Sequence, residues 1–344
     1  AAAPVEPPAD DTAMIAEIQA ADSNIAASAS SLKSYLSRLR NLQKRLGCNN
    51  HEIDFDLFRD HARVLDTINT AKAASGRTTG QEWSLATKLS YLSALTAILG
   101  RLEGFEDAHT IYSTALQQRN AVYDADRKEN LLTTSERSRF VAWQTLRSMF
   151  YGQARTNSAE RILSPRDLAI FGLYAAIPPR RVLDYSEMRI AAAGKKAVDV
   201  SKLATTSNWL VLTRAGNPSK LVINKYKTAK RYGQYVLNTI SSELAAVLRQ
   251  YITASGLVGG QPLFPTTSGT NYTPAGFSGL VGDIMLAATG KRAGINILRH
   301  SAITHFLSKK RSVAQREAFA AAMGHSIGTQ ALYDRLDTAD SDSD

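Results

Sequence analysis

The chain has 344 residues, 44% of them hydrophobic, and its 41 Lys and Arg outnumber 31 Asp and Glu for a formal net charge of +10. Such an apolar share supports globular packing, and the length exceeds one typical core, so two domains are expected. No run approaches a membrane-spanning length, the Ala/Pro/Asp-rich start lacks a basic region ahead of an apolar one, and Cys48 stands alone; a membrane partner, a secretory signal and an internal disulfide are not expected, and a reducing compartment fits.

Both ends are acidic. Residues 1–22 and 334–344 carry net charges of −5 and −4, which against +10 overall leaves +19 for the stretch between. That balance points to a polyanion, because each cation laid on a phosphate releases condensed counterions; a basic surface kept for solubility is the plainer alternative. The small, acidic residues 1–28 predict a flexible arm. From Leu32, the spacing of Leu36, Leu39, Leu42 and Leu46 predicts an amphipathic helix whose other positions hold Lys33, Arg38, Arg40, Lys44 and Arg45. Those five cations are candidate DNA contacts, or else a solvated face. Leu85, Leu89, Leu92, Leu95 and Leu99, stopped by Gly100, mark a second helix and residues 111–122 a third, so 29–128 read as a small all-helical domain. His51, His61 and His109 have no Cys partners or zinc-finger spacing and read as packing residues or phosphate contacts.

The polar run 124–130 is the linker candidate, and Thr133 with Glu136 at capping-box spacing opens a second domain over 131–336, followed by an acidic tail, 337–344. Ser164, Pro165 and the Pro178-Pro179 stop bracket a helix, and Arg180 and Arg181 come directly after it. Segments 208–212, 221–226 and 234–237 predict a three-stranded antiparallel meander with Lys227, Lys230 and Arg231 in its second turn. Helices return at 243–252, 274–288, 299–309 and 313–323, with a short last one carrying TQALYDRL. The class is α+β, mainly α with a small antiparallel sheet.

One residue is out of place. In NILRHSAITHFL, residues 296–307, helical winding gathers Leu298, Ala302, Ile303, Phe306 and Leu307 on one arc and sets Ser301, Thr304, His305 and Ser308 opposite. Arg299 projects from the apolar arc. A guanidinium there must find an acceptor, either an anion or an internal carboxylate.

The segment ILRHSAITHFL, followed by MGHS and then ALYDRL, resembles the C-terminal signature of the tyrosine recombinase and phage integrase family: an Arg-His pair opening a helix, a Gly-His one helix later, then a nucleophilic Tyr. RRVLDYSEM resembles its earlier box, an Arg followed three residues on by an acid, which selects Arg181 with Asp184 over Arg180. NKYKTAKRYG resembles the family's Lys-Thr turn and selects Lys227. The likeness spans about residues 160–336, and its wording is similar to integrases of large eukaryotic DNA viruses, their virophages and related mobile elements. Two departures stand out. Asn296 occupies the place of a usual His, three residues before the Arg, and the interval from His325 to Tyr333 is one residue shorter than in many relatives.

The resemblance implies a two-domain DNA clamp, a helical core-binding domain followed by a catalytic domain, that cleaves and rejoins target sites in double-stranded DNA with no metal or other cofactor. In that reading Arg181 and Arg299 hold the scissile phosphate and His325 adds a donor. Tyr333 attacks to form a 3′-phosphotyrosyl link, and Lys227 protonates the leaving 5′ oxygen. His300, at the edge of the apolar arc, reads as a supporting hydrogen-bond donor, and His305 as surface. A tetramer on two duplexes and an intracellular location with DNA are implied too, in a prokaryotic cytoplasm or in the nucleus or viral factory of a eukaryotic host. Two alternatives stay open: a type IB topoisomerase that relaxes DNA as a monomer, and a DNA-binding protein of the same fold that no longer cleaves.

Overall fold

The computed structural model describes residues 15–16, 29–74, 79–128, 132–194 and 196–331, and the chain divides into two compact units, Ala1–Glu129 and Asn130–Asp344. Tyr333, the 337–344 tail and all but two residues of the 1–28 arm lie outside the described residues.

Four helices build the first unit among its described residues: α1 (Ala29–Arg45), α2 (His61–Thr70), α3 (Leu85–Leu99) and α4 (Glu106–Lys128). The leucines of α1 form one stripe because they recur every three or four residues, and that stripe is buried with Leu92, Leu95, Ile98 and Leu99 of α3. Ile15 packs on the same core. Helix α3 stops at Gly100, where a Cβ would lie 2.8 Å from the His109 ring. Buried Gln43 holds the loop after α1, donating to the carbonyls of Asn50 and Glu52 and accepting from the Asp54 N–H. Helix α2 was not expected; it buries only Val64 and Ile68, too short a stripe for periodicity to register. Residues 124–128, read as linker from their polarity, continue α4, since Ala125, Arg127 and Lys128 favour helix.

In the second unit, the capping box of Thr133 and Glu136 opens α5 (Thr134–Arg137), and α6 (Trp143–Arg155) follows. Helix α7 (Pro165–Ala175), capped by Ser164, is buried continuously from Leu168 to Ala175. It forms the axis against which α6, α10 (Ser242–Ala254) and α11 (Pro274–Thr289) pack. Gly172 permits that closeness, because a Cβ there would sit 2.6 Å from Phe150 and 2.7 Å from Leu244.

The sheet is four-stranded, in the order β1 (Met188–Ala192), β2 (Asn208–Leu212), β3 (Pro218–Ile223), β4 (Tyr235–Leu237). Strands β2 to β4 form the expected antiparallel meander, but β1 runs parallel to β2, so the sheet is mixed. Strand β1 escaped the sequence because its other edge is held by distant backbone: Gly260 N–H donates to Ile190 O at 2.8 Å and Leu263 N–H to Met188 O at 2.7 Å. Local pattern does not encode such pairings. A short helix, α8 (Val182–Ser186), precedes β1, and α9 (Ala229–Tyr232) fills the turn between β3 and β4.

Helix α12 (Ile295–Leu307) starts four residues ahead of the expected 299 and is buried on every side from Ile297 to Ile303. Ser301, expected on a polar face, is therefore inside and donates to Val141 O at 2.6 Å. Exposure rises only toward the end, where Thr304 and His305 are half-buried and Ser308 is exposed. Helices α13 (Val313–Ala322) and α14 (Ile327–Ala331) complete the described residues, among which no helix is long and apolar enough to cross a membrane.

Candidate active site

Arg180 and Arg181 leave the Pro178-Pro179 stop together, and their guanidiniums part. Arg181, half-buried at the N-cap of α8, donates Nη1 to Gly324 O at 2.9 Å. Arg299, without accessible surface, donates Nη1 to Pro179 O at 2.8 Å and to Met323 O at 3.1 Å. Two arginines more than a hundred residues apart thus meet on consecutive carbonyls just beyond α13. Thr228 Oγ1 donates to Gly324 O at 2.9 Å, which draws in the turn carrying Lys227, and Arg180 Nη1 reaches Ala322 O at 2.7 Å. Carbonyls at a helix C-terminus lack intrahelical partners and carry the negative end of its dipole, so the end of α13 occupies three guanidiniums. At Nη1, then, Arg299 is held by a pair of backbone oxygens.

Asp184, three residues after Arg181, is buried, and its carboxylate pairs with Arg180, Oδ2 to Nε at 2.7 Å. Burial raises its pKa against the opposing pull of Arg180, Arg181 and Arg299, so three guanidiniums act on one carboxylate.

His325 lies beside the same group. Its Nδ1 is 3.1 Å from Ser326 O, and because a carbonyl can only accept, the proton sits on Nδ1 and Nε2 of the neutral ring is an acceptor. Burial, reinforced by Arg299, Arg181 and Arg180 and partly opposed by the bond to Ser326, pulls its pKa down to about 4. At pH 7 the ring is therefore neutral. His300 is buried one residue after Arg299, and His305 is half-buried nearer the exposed end of α12.

Lys227 is exposed and its side chain makes no hydrogen bond or ion pair among the described residues, whereas Lys225 is held by Glu187 at 2.5 Å. Lys230 is exposed, as is Arg231, whose guanidinium lies 5.4 Å over Tyr232. Arg181 also lines a pocket of about 480 Å³ with Glu136, Arg139, Ser278, Gly294 and exposed Asn296. This pocket lies at the N-terminus of α12, which has no side-chain cap, so two arginines and one glutamate border the positive end of that helix. A larger hollow, about 570 Å³ on α10, shares none of these residues. No group of three or more His, Cys, Asp or Glu side chains comes together among the described residues.

No protein-family model matches the chain. None of the curated proteins matches it either. Among solved structures, the chain is similar to the crystal structure of XerA recombinase, with 12% identity, 96% of this chain and 95% of that one covered, and a TM-score of 0.40.

In the first unit, Lys33 and Lys44 of α1 are exposed and Arg40 is half-buried. Arg38 and Arg45 are used internally: Arg38 Nε donates to Ser90 Oγ at 3.2 Å, and Arg45 lies 4.6 Å over the Trp83 ring. Three contributors to the site had escaped the sequence: Arg180, Thr228 and Asn208. Asn208, buried at the head of β2, donates to Asp184 O and Lys225 O and accepts from the N–H groups of Asn224 and Lys225. Its only signal was a polar residue opening an apolar strand.

Proposed function

We propose that this chain is a DNA strand transferase of the tyrosine recombinase kind, which cuts and rejoins duplex DNA through a 3′-phosphotyrosyl link at Tyr333. The observation that carries the reading is the balance of charge beyond α13 among the described residues: three guanidiniums and a neutral imidazole around a single carboxylate. Excess positive charge in a desolvated place is unfavourable until an anion arrives, and a phosphodiester suits fork-shaped donors. In this reading an entering phosphate takes Arg181 and Arg299 from the Gly324 and Met323 carbonyls, while Asn296 and the first N–H groups of α12 hold its other oxygens. Nε2 of His325 accepts the phenol proton. The phenolate oxygen of Tyr333 bonds to phosphorus as the bond to the 5′ oxygen breaks, and Lys227 gives that oxygen a proton. One phosphodiester replaces another, so charge and bond count balance with no further reactant. Lys33, Lys44, Lys230 and Arg231 supply backbone contacts, and exchange between sites uses a tetramer on two duplexes.

A second reading has one observation in its favour. Arg299 has no accessible surface, as expected of a DNA-binding protein that no longer cleaves and uses this arginine only to hold α13. Trapping separates the two. A pool of nicked duplexes should yield a denaturant-resistant adduct with the wild type, none with Tyr333→Phe, and about 100-fold less with Arg181→Ala. Equal trapping by wild type and Tyr333→Phe overturns the nucleophile; binding with no adduct from the wild type favours the non-cleaving protein.

A further inference from the structure

We infer that Arg180 is a positioning residue, a buried strut that fixes the Lys227 turn against the Gly324-His325 turn without itself reaching phosphate. The inference rests on the reading of the site given above. Its side chain is only 3% exposed, and two of its three nitrogens are committed inward, Nε to Asp184 Oδ2 at 2.7 Å and Nη1 to Ala322 O at 2.7 Å and Ala321 O at 3.4 Å, while the buried Nη2 has no hydrogen-bond partner among the described residues. The guanidinium carbon lies close to two aromatic rings, with centroids at 4.9 Å for Tyr226 and 5.0 Å for Tyr235.

Each partner belongs to a different part of the site. Tyr226 immediately precedes Lys227, and its hydroxyl donates to Gly233 O at 2.8 Å, which closes the turn that presents the lysine. Tyr235 opens β4 and Asp184 lies in α8. Ala321 and Ala322 end α13, directly before the Met323 and Gly324 carbonyls that hold Arg299 and Arg181. Gly324 fits closely beneath: a Cβ there would lie 3.0 Å from Nη2 of Arg180 and 3.4 Å from the Tyr226 ring. One planar cation therefore ties the element bearing the proton donor to the element bearing the proton acceptor. A lysine cannot replace it, because a single ammonium lacks both the plane that stacks and the fork that divides between a carboxylate and a helix end.

The test uses the full chain with Arg180→Lys, which keeps a charge beside Asp184, and Arg180→Met combined with Asp184→Asn, which removes both charges at similar size. Amide hydrogen exchange in residues 224–228 and 321–325 should accelerate about tenfold in both variants while α7 and α10 stay protected. At saturating nicked duplex, adduct formation per folded molecule should slow about 100-fold while the DNA Kd stays within about twofold, and the lysine should not rescue the rate. Unchanged exchange, or wild-type adduct rates in either variant, overturns the strut. A Kd that weakens in step with the rate does so as well, by making Arg180 a phosphate contact. Should the wild type form no adduct, the recombinase reading fails, and the exchange measurement alone still decides whether Arg180 couples the two turns.

Discussion

His325 stands uncharged among guanidiniums, and that has a thermodynamic signature. An unfolded histidine titrates near 6.5, whereas the folded one is held down at about 4, mainly by burial. Between those values the unfolded chain binds a proton that the folded chain refuses. Stability from this group is therefore full above about pH 6.5 and falls as pH drops toward 4, by on the order of 3 kcal/mol. Asp184 runs in the opposite sense, since its raised pKa means that its burial penalty fades on protonation. Denaturant midpoints of wild type and His325→Gln at pH 7, 5.5 and 4.5 separate the two: the variant should lose less stability on acidification, and parallel curves refute the assignment. Gly324 supplies a second residue-scale prediction. With φ at 71° and a Cβ crowding Arg180 at 3.0 Å, Gly324→Ala should destabilise by about 1–2 kcal/mol and slow adduct formation more than DNA binding. At this scale the sequence was informative about Arg299, because a charged residue on an apolar stripe violates a pattern. It was silent about which of two adjacent arginines turns inward, since that choice depends on a carboxylate and two rings brought in by tertiary packing.

Elements were legible where their signals are local. The leucine spacing of α1 and α3, the Ser164-Pro165 start of α7 and the apolar run of β2 located those elements to within a few residues. Strand β1 was illegible because both of its edges are made by distant chain, and Ser301 because α12 is enclosed rather than amphipathic at its first turns. Asn208 shows how elements become a site. It bridges the end of α8 and the turn after β3 through four hydrogen bonds to backbone groups, all between 2.7 and 3.0 Å. Asn208→Ala strands those groups in a buried place, so the denaturant midpoint should report a loss of about 2–4 kcal/mol. A loss under about 0.5 kcal/mol, the range of ordinary surface changes, would mean that the bridge is dispensable.

For the whole molecule, the balance of +10 matters through where cations remain available rather than through its size. Lys33 and Lys44 in the first unit, and Lys230 and Arg231 in the second, are exposed, whereas Arg38 and Arg45 are occupied by Ser90 and Trp83. If the partner is duplex DNA, each exposed cation that meets a phosphate contributes about −0.9 to the slope of log K against log salt. Replacing Lys33, Lys44, Lys230 and Arg231 by Gln together should make that slope shallower by about 3 to 4 and weaken binding alike for unrelated sequences, because phosphate contacts carry no base information. The Arg38→Gln/Arg45→Gln pair should instead lower the thermal midpoint of the first unit and leave the slope within about 0.5 of the wild type. Titrations over a range of salt distinguish these outcomes. An equal loss of slope from the second pair would show that Arg38 and Arg45 exchange their internal partners for phosphates, and a wild-type slope near zero would remove the electrostatic ground for a nucleic-acid partner altogether.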